Sequence, residues 1–274
     1  MKKIIVPTDF SEVAVNAFHF AQQLNKVKNG LLQVVHVYHP SFEVDNPYLS
    51  IDFGKFEATK RASLERFTEK YTLPNKTGDD QNTIQAKLSI GFAAEEIVKA
   101  SAEASLVVMG TTGQGDALEK VFGTVSTHVA RKAHCPVLLV PLQSTFTGFR
   151  SVLFASNDLP EDEDLLRKAL DFTIPGIETL HMVHVDETRA ATYEMLEVDK
   201  EQILRPHLPE INLKLARIGC QRIWSGLDQY AADHAIDLMV MGTIHRGFLK
   251  KLFHQSQTKG MILHAQRPLL VLHY

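Results

Sequence analysis

Cysteine is scarce in this sequence: the 274 residues include two, Cys135 and Cys220. Two are too few for a disulfide framework or a cysteine-rich zinc site, and such low usage favours a reducing, cytoplasmic location. No run of 18 apolar residues occurs, so we expect no membrane-spanning helix. The apolar run Ile4–Val6 stops at Pro7, far short of a secretion leader, and we interpret it as a core strand.

The sequence also lacks a large excess of positive or negative charge. Lysine and arginine number 29 against 32 aspartates and glutamates, which gives a formal net charge of −3. Nucleic-acid-binding domains usually carry a basic excess, so the composition argues against such a partner. An apolar fraction of 45% with 22% charged residues is typical of a soluble globular protein, and the length allows one large domain or two ordinary ones.

The chain repeats itself. Ser105–Val140 aligns without a gap on Asp237–Leu272, and nine of 36 positions are identical. Upstream, Val35–Val37 matches Val183–Val185 at an offset of 148 residues. Solenoid repeats are 20–50 residues long, so this longer period indicates a duplicated domain. We predict a first domain at 1–141, a short polar linker at 142–149 and a second domain at 150–274.

Strands and helices alternate within each predicted domain. The predicted strands of the first are Lys3–Thr8, Leu31–Tyr38, Ile84–Ile90, Leu106–Met109 and Val137–Val140. The predicted helices follow Ser11 and cover Phe56–Tyr71, Ala93–Ala104 and Gly123–Ala133. This order indicates an α/β fold with a parallel sheet, and the continuous apolar strands indicate burial on both faces. The second domain repeats the order with a shorter middle, in which Thr192–Leu204 is the second helix.

Glycines and hydroxyl residues follow the fourth strand. Gly110 and Gly113 allow a ligand to approach the backbone closely, and a helix that starts near Gly123 presents free N–H groups to an anion. We expect the hydroxyls of Thr124 and Ser126 to donate to phosphate oxygens. The sequence has neither a Gly-Lys-Ser/Thr P-loop nor a Gly-x-Gly-x-x-Gly fingerprint after the first strand, which argues against P-loop and dinucleotide-binding folds.

The spacing Gly110-x2-Gly113-x9-Gly123-Thr124 resembles the mark of the universal stress protein family. The opening Ile4–Ser11 and the segment Val107–Thr111 are also typical of that family. The resemblance covers nearly the whole chain. It implies two tandem doubly wound domains of the adenine nucleotide alpha hydrolase-like type, each with a five-stranded parallel sheet flanked by helices.

The resemblance also implies a site for ATP, or for AMP or ADP, with Mg²⁺ as a companion ion. The residues that it places around the adenosine are Pro7, Thr8, Asp9 and Val37, with Met109 and Gly110 on the ribose side. Those that it places around the phosphates are Gly113, Gly123, Thr124 and Val125.

The second domain departs from this pattern. His245 replaces Gly113, Gln255 replaces Gly123 and Asn157 replaces Asp9, although Asp158 lies next to it. A side chain at a glycine position blocks phosphate or the backbone turn, so we expect one nucleotide per chain. His254 and His264 also fall in this region, and the sequence leaves open whether they converge with His245. For His36 and His184, which sit at matched positions in apolar strands, buried hydrogen-bonded histidines are the favoured interpretation.

These observations favour a nucleotide-binding stress-response regulator that acts through conformation or partner contacts. A slow ATPase or phosphotransferase is the alternative, because Lys120 can approach the phosphates from the loop; a nucleotide-free scaffold is another. The apolar last strands Val137–Val140 and Leu269–Leu272 lack charges that protect an edge. We therefore expect them to pair antiparallel in an internal pseudo-dimer.

Overall fold

The computed structural model describes most of the residues of the chain. They are 2–39, 53–74, 83–111, 124–156, 163–173, 176–186, 192–195, 211–221, 223–242 and 266–273. Those up to Phe146 form one compact unit and those from Thr147 form another. Within the described helices, none is both long and apolar enough to cross a membrane.

The first unit alternates strands with helices. Its strands are β1 (Lys3–Pro7), β2 (Leu31–Tyr38), β3 (Ile84–Ile90), β4 (Leu106–Gly110) and β5 (Val137–Val140). Its described helices are α1 (Glu12–Lys28), α2 (Phe53–Tyr71), α3 (Ala93–Ser101) and α4 (Thr124–Lys132). These bounds agree with the predicted elements to within three residues at each end.

The five strands of the first unit form a parallel sheet in the order β3-β2-β1-β4-β5. Helices α1 and α2 contact each other on one side, and α3 and α4 contact each other on the other. The chain builds outward from β1 to β3 and then returns to place β4 on the opposite side of β1. This reversal opens a crevice beyond the carboxyl ends of β1 and β4, which is where doubly wound sheets bind ligands.

Local sequence signals explain why α1 starts and ends where it does. The Ser11 side chain accepts a hydrogen bond from the Ala14 N–H at 3.3 Å, as an N-cap does. At the other end Asn29 adopts a left-handed conformation with φ of 52°, which asparagine tolerates. The buried Asn25 side chain then bonds both the N–H and the C=O of Gly30 and fixes the turn into β2.

The second unit repeats this plan. Its strands are β6 (Ser151–Ala155), β7 (Thr179–Asp186), β8 (Thr192–Met195), β9 (Asn212–Gly219), β10 (Leu238–Gly242) and β11 (Leu269–Leu272). Its described helices are α5 (Glu163–Thr173) and α6 (Ile223–Asp233). The sheet order β11-β10-β6-β7-β9-β8 matches the first unit strand for strand, with β8 added at one edge.

The added strand corrects one sequence prediction. Thr192–Leu204 was predicted as a helix, but Thr192–Met195 is a strand that pairs antiparallel with β9. Threonine and tyrosine favour extended backbone, and β8 covers an edge of β9 that would otherwise expose unpaired backbone groups. The second sheet therefore has six strands in its described part and is mostly parallel, rather than the predicted five parallel strands. The predicted α/β doubly wound class is confirmed.

Candidate functional site

A pocket of about 310 Å³ lies at the crevice of the first unit. It is lined by the carboxyl ends of β1, β2 and β4 and by the first turns of three helices. The lining residues are Pro7, Thr8, Asp9, Ala14, Val35, Val37, Ala93, Ile97, Met109, Gly110, Thr124, Val125 and Ser126. This volume is at the lower end of the range for small-molecule sites.

The loop after β1 supplies the polar groups at one end of this pocket. The Thr8 hydroxyl oxygen accepts a hydrogen bond from the Phe10 N–H at 3.0 Å, and Phe10 adopts a positive φ of 67°. The Asp9 Oδ1 accepts from the Ser11 N–H at 3.1 Å and from the Ser11 hydroxyl at 2.6 Å. The loop is therefore fixed by its own short-range bonds, and these bonds hold Asp9 at the pocket.

Alternation along β2 places Val35 and Val37 on the same face, toward the pocket. His36, between them, points the other way and is 8% exposed. Its Nδ1 lies 2.8 Å from the Thr8 carbonyl oxygen, and its ring packs on Phe10 with centroids 4.3 Å apart. Burial is the largest effect on the His36 pKa and lowers it, so the ring is neutral at pH 7.

Gly110 ends β4 against helix α1. A Cβ at this position would collide with Val13 Cγ1 and would lie 3.2 Å from the Val13 backbone oxygen. The glycine is therefore required by the close approach of helix and strand as well as by its place in the pocket. In the second unit Gly242 has the same role, because a Cβ there would collide with Leu165.

The pocket contains one ionisable side chain among its described lining residues, Asp9. The remaining lining is apolar or hydroxylic. No group of three or more metal-binding side chains is close enough together to hold an ion within the described ranges. The described lining therefore suits a flat, uncharged ring with polar groups at one end.

The family model described as the universal stress protein family matches residues 1–141 and again 148–273. The chain belongs to the universal stress protein family. Among curated relatives, universal stress protein MJ0531 of Methanocaldococcus jannaschii is 30% identical over 143 residues, which span 51% of this chain and 81% of the relative. Universal stress protein Rv2624c of Mycobacterium tuberculosis is 25% identical over 174 residues, which span 62% and 60%.

Solved structures support the fold of this universal stress protein. A universal stress protein from Archaeoglobus fulgidus is 20% identical with a TM-score of 0.66, and the match covers 99% of this chain and 96% of that one. The predicted membership of the family, as a tandem two-domain protein, is thus confirmed.

Eight of the ten predicted site residues lie around the one pocket. They are Pro7, Thr8, Asp9, Val37, Met109, Gly110, Thr124 and Val125. Gly113 and Gly123 lie outside the described residues, as do Lys120 and, in the second unit, Asn157, Asp158, His245, His254, Gln255 and His264. The assignment of these residues to a nucleotide stays a prediction.

The structure changes the expectation for Ser126. Its hydroxyl donates to the Thr111 carbonyl oxygen at 2.9 Å and is buried, so it is not available as a donor to phosphate. Sequence reasoning also missed Ala14, Val35, Ala93 and Ile97. Alternation with Val37 could have identified Val35, whereas the place of α3 over the strands has no local signal.

Proposed function

We propose that the first unit binds one adenine nucleotide, ATP with Mg²⁺ or else AMP or ADP, and that the chain is a cytoplasmic stress-response regulator. In this proposal the nucleotide changes the conformation of the chain or its contacts with a partner. The observation that carries the proposal is the pocket of about 310 Å³ at the point where the strand order reverses. Eight of the residues predicted from sequence line it.

The wall of the pocket that β2 and α3 form supports the binding of a purine. Val35, Val37 and Ile97 supply an apolar surface for the face of a ring. Backbone groups of a strand alternate in direction, and the bond from the Thr8 N–H to the Val35 carbonyl shows that Val35 faces β1. The N–H and C=O of Val37 therefore also face β1, beyond the point where that strand has ended. The Watson–Crick edge of adenine offers an acceptor and a donor that match such a pair.

The opposite end of the pocket supports a sugar and phosphates. The Asp9 carboxylate suits ribose hydroxyls, which donate to it, and would repel a phosphate without a metal ion. Thr124 and Val125 lie in the first turn of α4, where N–H groups lack acceptors within the helix and the dipole favours anions. Magnesium would then be held mainly by phosphate oxygens, as is common for this ion.

A regulatory role fits the described chemistry better than a fast enzyme does. Of the described lining residues Asp9 alone is ionisable, and its Oδ1 already accepts two hydrogen bonds from Ser11. Hydrolysis at useful rates needs a base that orients water or a positioned cation. The slow ATPase or phosphotransferase stays the alternative, with Lys120 as its cation.

The proposal extends to the organisation of the chain. We keep 1–141 and 150–274 as the two domains with 142–149 as the linker, and we place the nucleotide in the first domain only. The second domain would then act as the partner of the first without binding a nucleotide, because it has side chains where two glycines are needed.

Two matched variants on helix α3 test the location of the site. Ala93 lines the pocket and Ala94, one residue further on, does not. Ala93→Leu adds three carbon atoms to the pocket, and we expect the affinity for ATP with Mg²⁺ to fall at least tenfold by isothermal titration. Ala94→Leu makes the same change outside the pocket and should bind ATP as the wild type does. Equal affinity in all three proteins, or no binding by the wild type, would contradict the proposal.

A further inference from the structure

The histidine between the two pocket valines has a bonding pattern that apolar packing alone does not explain. His36 is buried, and its Nε2 has no hydrogen-bond partner among the described residues. A buried ring nitrogen without a donor is less stable than an apolar side chain of similar shape. The hydrogen bond of the other nitrogen, Nδ1, must therefore explain why a histidine rather than an apolar residue stands at this position.

Nδ1 bonds a backbone carbonyl that would otherwise accept a hydrogen bond from the neighbouring strand of the sheet. In a parallel pair, the residue that donates to one strand position accepts from the position two further along. The Thr8 N–H donates to the Val35 carbonyl at 2.8 Å, so the Thr8 carbonyl is the expected acceptor for the Val37 N–H. Within the described part of the chain that second bond is not formed. The Thr8 carbonyl instead accepts from His36 Nδ1 at 2.8 Å.

The bond to the Thr8 carbonyl shows which nitrogen of the His36 ring carries the hydrogen. A carbonyl oxygen only accepts, so the neutral imidazole carries its hydrogen on Nδ1. The ring is held in this position by Phe10, whose own ring packs on Phe67 with centroids 5.6 Å apart. His36 thus occupies the carbonyl of Thr8, the residue directly after β1, and leaves the Val37 N–H of β2 without this acceptor.

The second unit repeats this arrangement at matched positions. The Ser156 N–H donates to the Val183 carbonyl at 3.0 Å, and the Ser156 carbonyl lies 3.2 Å from His184 Nδ1. Here too the ladder bond from the Val185 N–H is missing among the described backbone bonds. The bond from a histidine Nδ1 to the carbonyl that follows the first strand thus occurs in both units.

We propose that His36 is a positioning residue for base recognition, which holds the Thr8 carbonyl so that the Val37 N–H stays available to an acceptor on a purine. This inference rests on the proposed function, since the purine is the adenine of the nucleotide. Without the imidazole, the Thr8 carbonyl turns to Val37 and closes the ladder. The pocket then keeps its apolar walls but loses its donor to the base.

Amide hydrogen exchange in the full chain without ligand tests the first half of the proposal. In the wild type we expect the Val37 amide to exchange at least tenfold faster than the Val35 amide, which lies inside the ladder. In His36→Leu the Val37 amide should become protected to the level of Val35. A Val37 amide that is already protected in the wild type, or that does not change in the variant, would overturn the proposal.

Base discrimination tests the second half. The probes are ATP and its 1-deaza analogue, in which a carbon replaces the N1 acceptor, both with Mg²⁺. We expect the wild type to prefer ATP about tenfold, as one good hydrogen bond provides. In His36→Leu this ratio should fall to near one, and in His36→Asn, whose amide can donate from a similar position, it should return. A general structural loss would weaken both nucleotides and leave the ratio unchanged.

His184→Leu is the matched control, because it removes the same bond in the second unit and should leave the ratio at the wild-type value. A ratio in His36→Leu equal to that of the wild type would overturn the inference while the proposed function stands. Failure of the wild type to bind either nucleotide would overturn both. The exchange measurement needs no ligand, so it shows independently whether the imidazole controls the Val37 N–H.

Discussion

Replacement of Gly110 by alanine tests how closely helix α1 approaches the floor of the pocket. The added Cβ would collide with Val13 Cγ1 and lie 3.2 Å from both Val13 Cβ and the Val13 carbonyl oxygen. Valine has a stiff χ1 and Val13 is buried, so the side chain cannot simply turn away. The helix must shift, and overpacking of this kind costs about 1–3 kcal/mol.

The assay is urea unfolding of the full chain followed by circular dichroism, with Val13→Ala as the second arm of a double-mutant cycle. Truncation of Val13 removes the collision with Cγ1 but not the 3.2 Å contacts with its Cβ and its backbone oxygen. We therefore expect Val13→Ala to restore part of the stability lost in Gly110→Ala, with a coupling free energy of at least about 0.5 kcal/mol.

Gly242→Ala is the internal comparison. The three atoms nearest to the Cβ there all belong to the Leu165 side chain, and a leucine tip can move more easily than a backbone carbonyl. We expect it to lower the free energy of unfolding by less than Gly110→Ala does. A Gly110→Ala protein as stable as the wild type, or one whose loss of stability is strictly additive with that of Val13→Ala, would show that Val13 does not constrain this position.

Four further predictions concern the second unit, the site and the last strands of the two units. His181 lies in β7 of the second unit and is buried, and burial lowers its pKa to about 4. The unfolded chain therefore takes up a proton on this ring first as pH falls below about 6.5, and the free energy of unfolding should decrease by about 3 kcal/mol by pH 4. An NMR titration of this ring near pH 6.5 would contradict this expectation. Asp9→Asn keeps the acceptor for the α1 N-cap but loses the charge, and ATP affinity should fall about tenfold by titration calorimetry with the melting temperature unchanged; unaltered affinity would count against the ribose role. Steady-state ATP hydrolysis should stay far below the enzyme median of about 10 s⁻¹, and a rate near that value that is lost in Lys120→Ala would favour the enzyme alternative. Finally, if Val137–Val140 and Leu269–Leu272 pair in an internal pseudo-dimer, their amides should exchange slowly in the full chain, and rapid exchange would argue against that pairing.

The sequence contains most of the information for the first unit. Strand and helix periodicity predict its bounds. Leu106–Met109 and Val137–Val140 are continuous apolar runs, Ile84–Ile90 alternates, and the helices have regularly spaced apolar residues. The family pattern supplies the pocket residues from β1, β2 and β4, because these positions are close in space only through the strand order. Local patterns are enough here because every element follows its own preference.

Other features depend on contacts between distant segments. The Val13 carbonyl at Gly110 and the place of Ala93 over β1 and β2 are set by tertiary packing, which single-sequence patterns do not encode. The extra strand β8 pairs with the backbone of β9. Only the strand order of the whole sheet places β9 at the edge, where its backbone groups need a partner. The role of His36 depends on a single carbonyl of another strand, and its neighbours in sequence indicate only that it is buried.

The proposed function requires that one adenine nucleotide binds per chain, in the pocket of the first unit. Native mass spectrometry of the 30.7 kDa chain titrated with ATP and Mg²⁺ counts the bound molecules directly. We expect one nucleotide per chain in the wild type and in Ala94→Leu, and its loss in Ala93→Leu at the same concentrations. Two nucleotides per chain, none, or one that persists when the pocket is filled would show that the first-unit pocket is not the single nucleotide site.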